Sequence, residues 1–200
     1  GEQAGSAGMR LCMPHERATR PSWDHLYEIA SAQDGYFTTQ QAATAGYSPQ
    51  LLQKHKHAGR VQHVRRGIYR LTHYPSSDHD YLIEFWLWSD RQGVFSHETA
   101  LALHDLSDLI PKRVHLTLPA AARARRLVPP PGVVLHYGDM PDAERTFVGA
   151  AAVTKPARTL EDCARAHLSP EDLQLAAAQA LQRGLVRREE LVAVELALRP

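Results

Sequence analysis

Thr38-Thr-Gln-Gln-Ala-Ala-Thr-Ala-Gly46, continuing as Tyr-Ser-Pro-Gln-Leu-Leu-Gln-Lys-His-Lys-His-Ala-Gly59 and Arg-Val-Gln-His-Val-Arg-Arg-Gly-Ile-Tyr-Arg-Leu71, decides the fold of the first third of the chain. Thr38 and Gln41 stand at capping-box spacing and open a short helix through Ala42, Ala43 and Ala45. Gly46 suits its C-terminal cap. Ser48-Pro49 then pairs an N-cap serine with a proline at the first helical position, and Gly59 closes that helix. Two short helices joined by a tight Gly-containing turn have helix-turn-helix spacing, and the small alanines let them approach closely. Upstream, Pro21-Ser22 starts another helix, in which Trp23, Leu26 and Ala30 recur at helical spacing with Ile29 beside them; Asp34-Gly35 ends it.

At about 100° per residue, the third helix turns Leu51, His55 and Ala58 inward, with Leu52 at the edge. The opposite face carries Gln50, Gln53, Lys54 and His57. These are donor-rich side chains suited to base edges and phosphates in a major groove. A purely solvated helix face ordinarily mixes in Glu or Asp, and this one holds neither. The two β-rich stretches around Arg65-Arg66-Gly67 read as a hairpin, which completes the order of a winged helix. Arg65 and Arg66 at its tip are the expected contacts to a phosphate or an adjacent minor groove.

The charge distribution agrees with this reading. Residues 1–75 hold nine Lys/Arg against five Asp/Glu, whereas residues 76–200 hold fourteen against seventeen. Between Pro49 and Tyr74 lie Lys54, Lys56, Arg60, Arg65, Arg66 and Arg70 and no acid, a block that draws a polyanion to one part of the surface. The expected division is a disordered or tag-like segment over 1–20, a winged helix-turn-helix over 21–75 and a second domain over 76–200. No apolar run has the length of a membrane span, and the small, polar Gly1–Gly8 lacks the features of a secretory signal. With only Cys12 and Cys163, a disulfide framework is not expected, and the natural compartment is a reducing cytoplasm.

After a joint at Tyr74-Pro75-Ser76-Ser77, Tyr81, Leu82, Phe85 and Trp86 mark an apolar helical stripe, with Leu87 and Trp88 adding a second side. Ser96 is read as the cap of a helix running through Ala100 to Leu106. Val114–Leu118 and Val133–Tyr137 read as strands, and Thr146–Val148 and Ala151–Val153 as two more short ones. The intervening 120–132, with Arg123, Arg125, Arg126 and Pro129-Pro130-Pro131, reads as a solvated loop, since the prolines forbid a helix interior. Helices are expected from Pro156 to Ala166, from Ser169-Pro170 onward, and from about Arg188 to Leu198. The fold class is therefore α+β, an N-terminal winged helix-turn-helix followed by an α+β domain with a small sheet and terminal helices.

Catalytic and metal signatures are not found. There is no Cys-x-x-Cys, no His-Glu-x-x-His and no Gly-rich phosphate loop, so no metal ligand set, cofactor or catalytic residue is assigned. Ser96-His97-Glu98 is attributed to helix capping, because adjacent residues at one helix start cannot converge on one substrate atom. Asp139, Asp142 and Glu144 are attributed to loop solvation.

Gly35-Tyr-Phe-Thr-Thr-Gln-Gln-Ala, Arg65-Arg-Gly-Ile-Tyr-Arg, Ser96-His-Glu-Thr-Ala-Leu and Thr154-Lys-Pro-Ala-Arg-Thr-Leu-Glu-Asp162, in that order, resemble the AbiEi-type antitoxin family. The resemblance implies a cytoplasmic, non-enzymatic transcriptional regulator that represses its own operon at double-stranded operator DNA and antagonises a cognate nucleotidyltransferase-type toxin. The DNA-contacting candidates it implies are again Gln50, Gln53, Lys54, His57, Arg65 and Arg66. Acting as a monomer or homodimer, such a protein needs no membrane. The alternative is an enzyme or direct inhibitor acting on the toxin protein through residues 76–200. Arg158 and Asp162, four apart on one helix face, are expected to pair. The Thr-x-Pro-x-Arg-Thr-Leu scaffold also occurs in proteins that continue into an endonuclease-like domain, but no Glu-x-Lys nuclease constellation follows it here.

Overall fold

The computed structural model describes residues 20–200, so the expectations for Cys12 and for almost all of the 1–20 segment lie outside the described residues. The chain is α+β with two small sheets. Its first part runs α1 (Trp23–Ser31), β1 (Tyr36–Thr38), α2 (Thr39–Thr44), α3 (Pro49–His57), β2 (Val61–Arg65) and β3 (Ile68–Leu71). Then follow α4 (Tyr81–Trp88), β4 (Val94–Phe95), α5 (His97–Leu103), β5 (Val114–Leu118), β6 (Val133–Tyr137), β7 (Arg145–Val148), β8 (Ala151–Thr154), α6 (Pro156–Arg165), α7 (Pro170–Gln182) and α8 (Val192–Ala197).

The first sheet is antiparallel in the order β1-β3-β2, with Phe37 opposite Tyr69 and Val61 opposite Leu71. Strand alternation sends its side chains to two different cores. Phe37, Tyr69 and Leu71 join Leu26, Ala30, Ala42, Tyr47 and Leu52 beneath the three N-terminal helices. Tyr36 and Ile68 point the other way and pack with Leu82, Ile83, Phe95 and Leu116. Core residues on the two sides of position 75 therefore touch across this sheet. Arg70 is locked into the same joint: it is 8% exposed, donating to Tyr74 O (2.9 Å) and to Asp80 Oδ2 (3.3 Å) with its guanidinium over the Tyr36 ring.

The second sheet has the order β6-β5-β4-β8-β7, parallel at β5–β6 and β4–β8 and antiparallel elsewhere. Leu101, Leu160, Cys163, Leu173, Ala177 and Val194 bind α5, α6, α7 and α8 into a helical core of their own. Burial pushes the Cys163 thiol up to about 12, aided by the charges of Asp162 and Glu98, so the thiol is an inert core group.

Several expectations need correction. In α3 the fully buried side chain is Leu52, with Leu51 and His55 half-buried and Ala58 exposed. Ala58 is the C-cap, where the chain is already leaving for β2. In α4 the buried set is Leu82, Ile83 and Leu87, and Tyr81 is exposed; this helix lies between two sheets and so buries more than one stripe. Ala120–Arg125 is a 3-10 helix rather than a loop, ending before the prolines with Arg126 in the left-handed region. The last expected helix is split into a 3-10 turn, Arg188–Leu191, and α8, because Leu191 leaves the helical region (φ −102°, ψ 11°). Strands β1 and β4, three and two residues long, were not anticipated; runs so short show no alternation. No helix among the described residues is long and apolar enough to cross a membrane.

Candidate nucleic-acid interface

The helix-turn-helix geometry follows from local capping. Thr38 Oγ1 accepts from Gln41 N (3.1 Å) while Gln41 Oε1 accepts from Thr38 N (3.0 Å), closing the capping box of α2. Gln41 also bonds the buried Gln33 at 2.9 Å, which ties this helix start to the end of α1. Gly46 takes φ +89° in the turn, a region where a side chain is strained, and Ser48 caps α3 through Leu51 N (3.2 Å). On the inner side of α3, His55 is wedged between Trp23 and Tyr47, with ring centroids 5.5 and 5.4 Å away. Burial, then the charge of Arg60, lowers its pKa and keeps the ring neutral.

The outer face is left to solvent. Gln50, Gln53, Lys54 and His57 are all exposed and fall within one arc of the helix, with no carboxylate among them. Lys56 is exposed on the next flank, and Arg60 follows immediately beyond the helix end; both belong to the basic block but were not singled out as contacts. Exposure of these two was not readable from composition, although helical phase already separates Lys56 from the main face.

The wing is a tight hairpin. Arg65 belongs to β2, and the turn is Arg66-Gly67, with Gly67 at φ +74°. Thr39 N donates to Gly67 O at 2.9 Å, so the wing tip is pinned to the start of α2. The two tip arginines part company here. Arg66 is exposed. Arg65 turns toward α4, donating from Nε to Glu84 Oε1 at 2.8 Å and passing 5.8 Å from the Phe85 ring centre. Of the six cations in the basic block, Arg65 and Arg70 thus serve internal joints, leaving Lys54, Lys56, Arg60 and Arg66 on the surface.

Residues 24–72 match the family model for AbiEi antitoxin transcriptional regulators. The match runs from α1 to the end of β3, spanning the helix-turn-helix and its wing. No curated protein matches the chain. Among solved structures, the crystal structure of the RV2827C protein from Mycobacterium tuberculosis is similar, at 14% identity and a TM-score of 0.47 over 86% of this chain and 74% of that one.

Beyond the AbiEi-matching segment lies a second feature, an open cleft of about 520 Å³ lined by His97, His136, Tyr137, Arg123, Arg158 and Asp162, among others. Arg158 and Asp162 pair as expected from their spacing, with Nε donating to Oδ1 at 2.9 Å, and Arg158 also reaches Glu144. Arg123, in what was expected to be a loop, lies 4.8 Å over the Tyr137 ring. Asp139 accepts from Ala120 N and Asp142 pairs with Arg145, so these acids are structural partners. Ser96 does not cap α5 through its side chain. Its hydroxyl instead bonds Thr117 Oγ1 (2.7 Å) and His97 Nδ1 (2.8 Å). Nothing in local spacing announced this cleft, because its residues come from α5, β5, the 3-10 helix, β6 and α6.

Proposed function

We propose that the chain is a DNA-binding antitoxin and transcriptional autorepressor of a toxin–antitoxin operon, antagonising a nucleotidyltransferase-type toxin in the cytoplasm. One observation carries the reading: α3 presents Gln50, Gln53, Lys54 and His57 to solvent as a single acid-free face, directly beside a wing that presents Arg66. The amides of Gln50 and Gln53 are bidentate partners for adenine, and Lys54 suits guanine or phosphate. Lys56, Arg60 and Arg66 flank that face and supply phosphate contacts that fix register without reading sequence. The AbiEi match over residues 24–72 supports both the regulator and the antitoxin role.

In this reading Arg65 acts indirectly, bracing the wing against α4 through Glu84 so that Arg66 is held at the tip. The test is a reporter driven by the operon's own promoter. Wild-type chain represses it, and the Gln50→Ala/Gln53→Ala double variant, replacing exposed residues only, relieves repression while remaining folded. Full repression by that variant sinks the assignment of α3 as the reading helix. Co-expression with the adjacent toxin, from a promoter the chain does not control, separates antitoxicity from repression.

A further inference from the structure

Three histidines from separate elements meet on one face of the β5–β6 pair. Thr117 is in register with His136, so strand alternation places His115, Thr117 and His136 on one face of the parallel pair. His97, at the start of α5, completes the group. Its backbone takes φ +54°, a left-handed conformation that is strained for a bulky side chain and persists only where the surroundings enforce it. That backbone lays the imidazole over His136, with ring centroids 3.7 Å apart and planes 15° from parallel. His115 Nδ1 stands 2.9 Å from His136 Nε2. One ring nitrogen from each of the three lies within 4.8 Å of the others.

Stacked imidazoles repel when charged, and this group is held neutral. Burial lowers all three pKa values, that of His97 to about 3, with neighbouring imidazoles adding to the effect at His97 and His136 and the charge of Arg113 at His115. The surroundings are also ordered as an outer shell. His97 Nδ1 is held by Ser96 Oγ, itself anchored on Thr117 Oγ1, which fixes the ring orientation and leaves Nε2 without a hydrogen bond among the described residues. Asp162, which also lines the cleft, has its Oδ2 buried with no hydrogen-bond partner among the described residues, although Oδ1 receives Arg158.

We propose that His97, His115 and His136 form a binding site for one divalent transition-metal ion of the zinc class, with its remaining position open to the cleft. An all-imidazole set selects zinc, cobalt, nickel or copper and rejects magnesium and calcium, which require oxygen donors. Three protein ligands plus one exchangeable position is the arrangement of an open zinc site. Bonds of about 2.0–2.1 Å to one ion require the His136 ring to tilt out of its stack with His97, because an ion cannot lie in the planes of two parallel rings at once. The single proton now shared between His115 and His136 moves to the other nitrogen of the ring that bears it, so ligation by both releases no proton. Arg158 and Arg165 are already paired with Asp162, Glu144 and Glu161, so Arg123, over the Tyr137 ring, is the cleft cation that favours an anionic oxygen, such as hydroxide or a phosphate oxygen, as the fourth ligand.

The test uses the untagged full chain, stripped with chelator and titrated with Zn²⁺ by calorimetry, with Mg²⁺ as the control. One Zn²⁺ per chain at micromolar or tighter affinity is expected, with no heat from Mg²⁺. Co²⁺ in place of Zn²⁺ gives visible absorption of a four- or five-coordinate site. His97→Ala and His136→Ala each remove this binding, while His73→Ala, an exposed histidine elsewhere, leaves it intact. Should either cluster variant fail to fold by circular dichroism, Ser96→Ala keeps all three ligands but frees His97, and weakens binding about 10–100-fold. Absence of stoichiometric binding, equal binding of Mg²⁺, or Zn²⁺ affinity unchanged in folded His97→Ala, His136→Ala or Ser96→Ala overturns the proposal and leaves the three rings as packing.

Discussion

Replacing the neighbouring wing arginines one at a time separates binding from architecture. Arg66 is exposed, whereas Arg65 is 32% exposed and bonded to Glu84, which is 16% exposed. With four surface cations in the basic block, Lys54, Lys56, Arg60 and Arg66, each neutralising one phosphate, the log–log salt slope from this face is about −3.6. Affinity then falls about 150-fold between 50 and 200 mM salt, and Arg66→Ala reduces that fall to about 40-fold by removing one contact. Its urea stability stays within about 0.5 kcal/mol of wild type, because the side chain has no hydrogen-bond or ion-pair partner among the described residues to lose. Arg65→Ala behaves in the opposite way. It strands a mostly buried carboxylate, and since the pair is neither fully exposed nor fully buried the loss is about 1–2 kcal/mol of stability, with the slope little changed. Fluorescence anisotropy against operator DNA at five salt concentrations, beside urea unfolding of both variants, makes the comparison. If Arg65→Ala flattens the slope and Arg66→Ala does not, the assignment of the two side chains is wrong.

Other perturbations give equally direct readings. Leu52→Ala empties the centre of the helix-turn-helix core and costs about 2–5 kcal/mol, measured as a lower urea midpoint. Gly35→Ala destabilises by more than about 1 kcal/mol, since Gly35 sits at φ +88° and an added Cβ meets Tyr74 Cβ at 2.7 Å; a wild-type midpoint refutes the crowding. His104, donating from Nε2 to Thr154 O at 2.7 Å, and His55 both have pKa values lowered chiefly by burial. The unfolded chain then binds more protons, so the stability these two residues contribute is complete above about pH 6.5 and is lost as pH falls below it. Urea midpoints at pH 7 and pH 5 check the sign: a smaller drop is expected in His104→Gln than in wild type.

The reach of the sequence followed the range of the interactions. Thr38–Gln41 and Ser48–Leu51 are contacts within one helical turn, so the start of α2 and of α3 was readable residue by residue. The same held for Arg158 and Asp162, one turn apart on α6. The ion pairs of Arg65 and Arg70 are not legible in the basic block, because their partners, Glu84 and Asp80, lie beyond the joint at Tyr74–Ser77 and no local pattern connects them. Strand β1 is only three residues long and owes its existence to pairing with β3, thirty-odd residues later in the chain. The histidine cluster is the extreme case: no two of its members share an element, and only the parallel β5–β6 register, which sets Thr117 opposite His136, brings His115 and His136 onto one face. Ser96 was read as a cap on position alone, and in the fold it does occupy that position while its hydroxyl serves Thr117 and His97.

The most direct test of the regulator reading is a titration of the purified chain against its own upstream DNA and a scrambled duplex of equal length, over several salt concentrations. The account predicts tight binding to the upstream DNA, at least about 1,000-fold preferred over the scrambled duplex and weakening steeply with salt. Equal, weak binding to both duplexes contradicts it and reduces the exposed face of α3 to a generic basic patch.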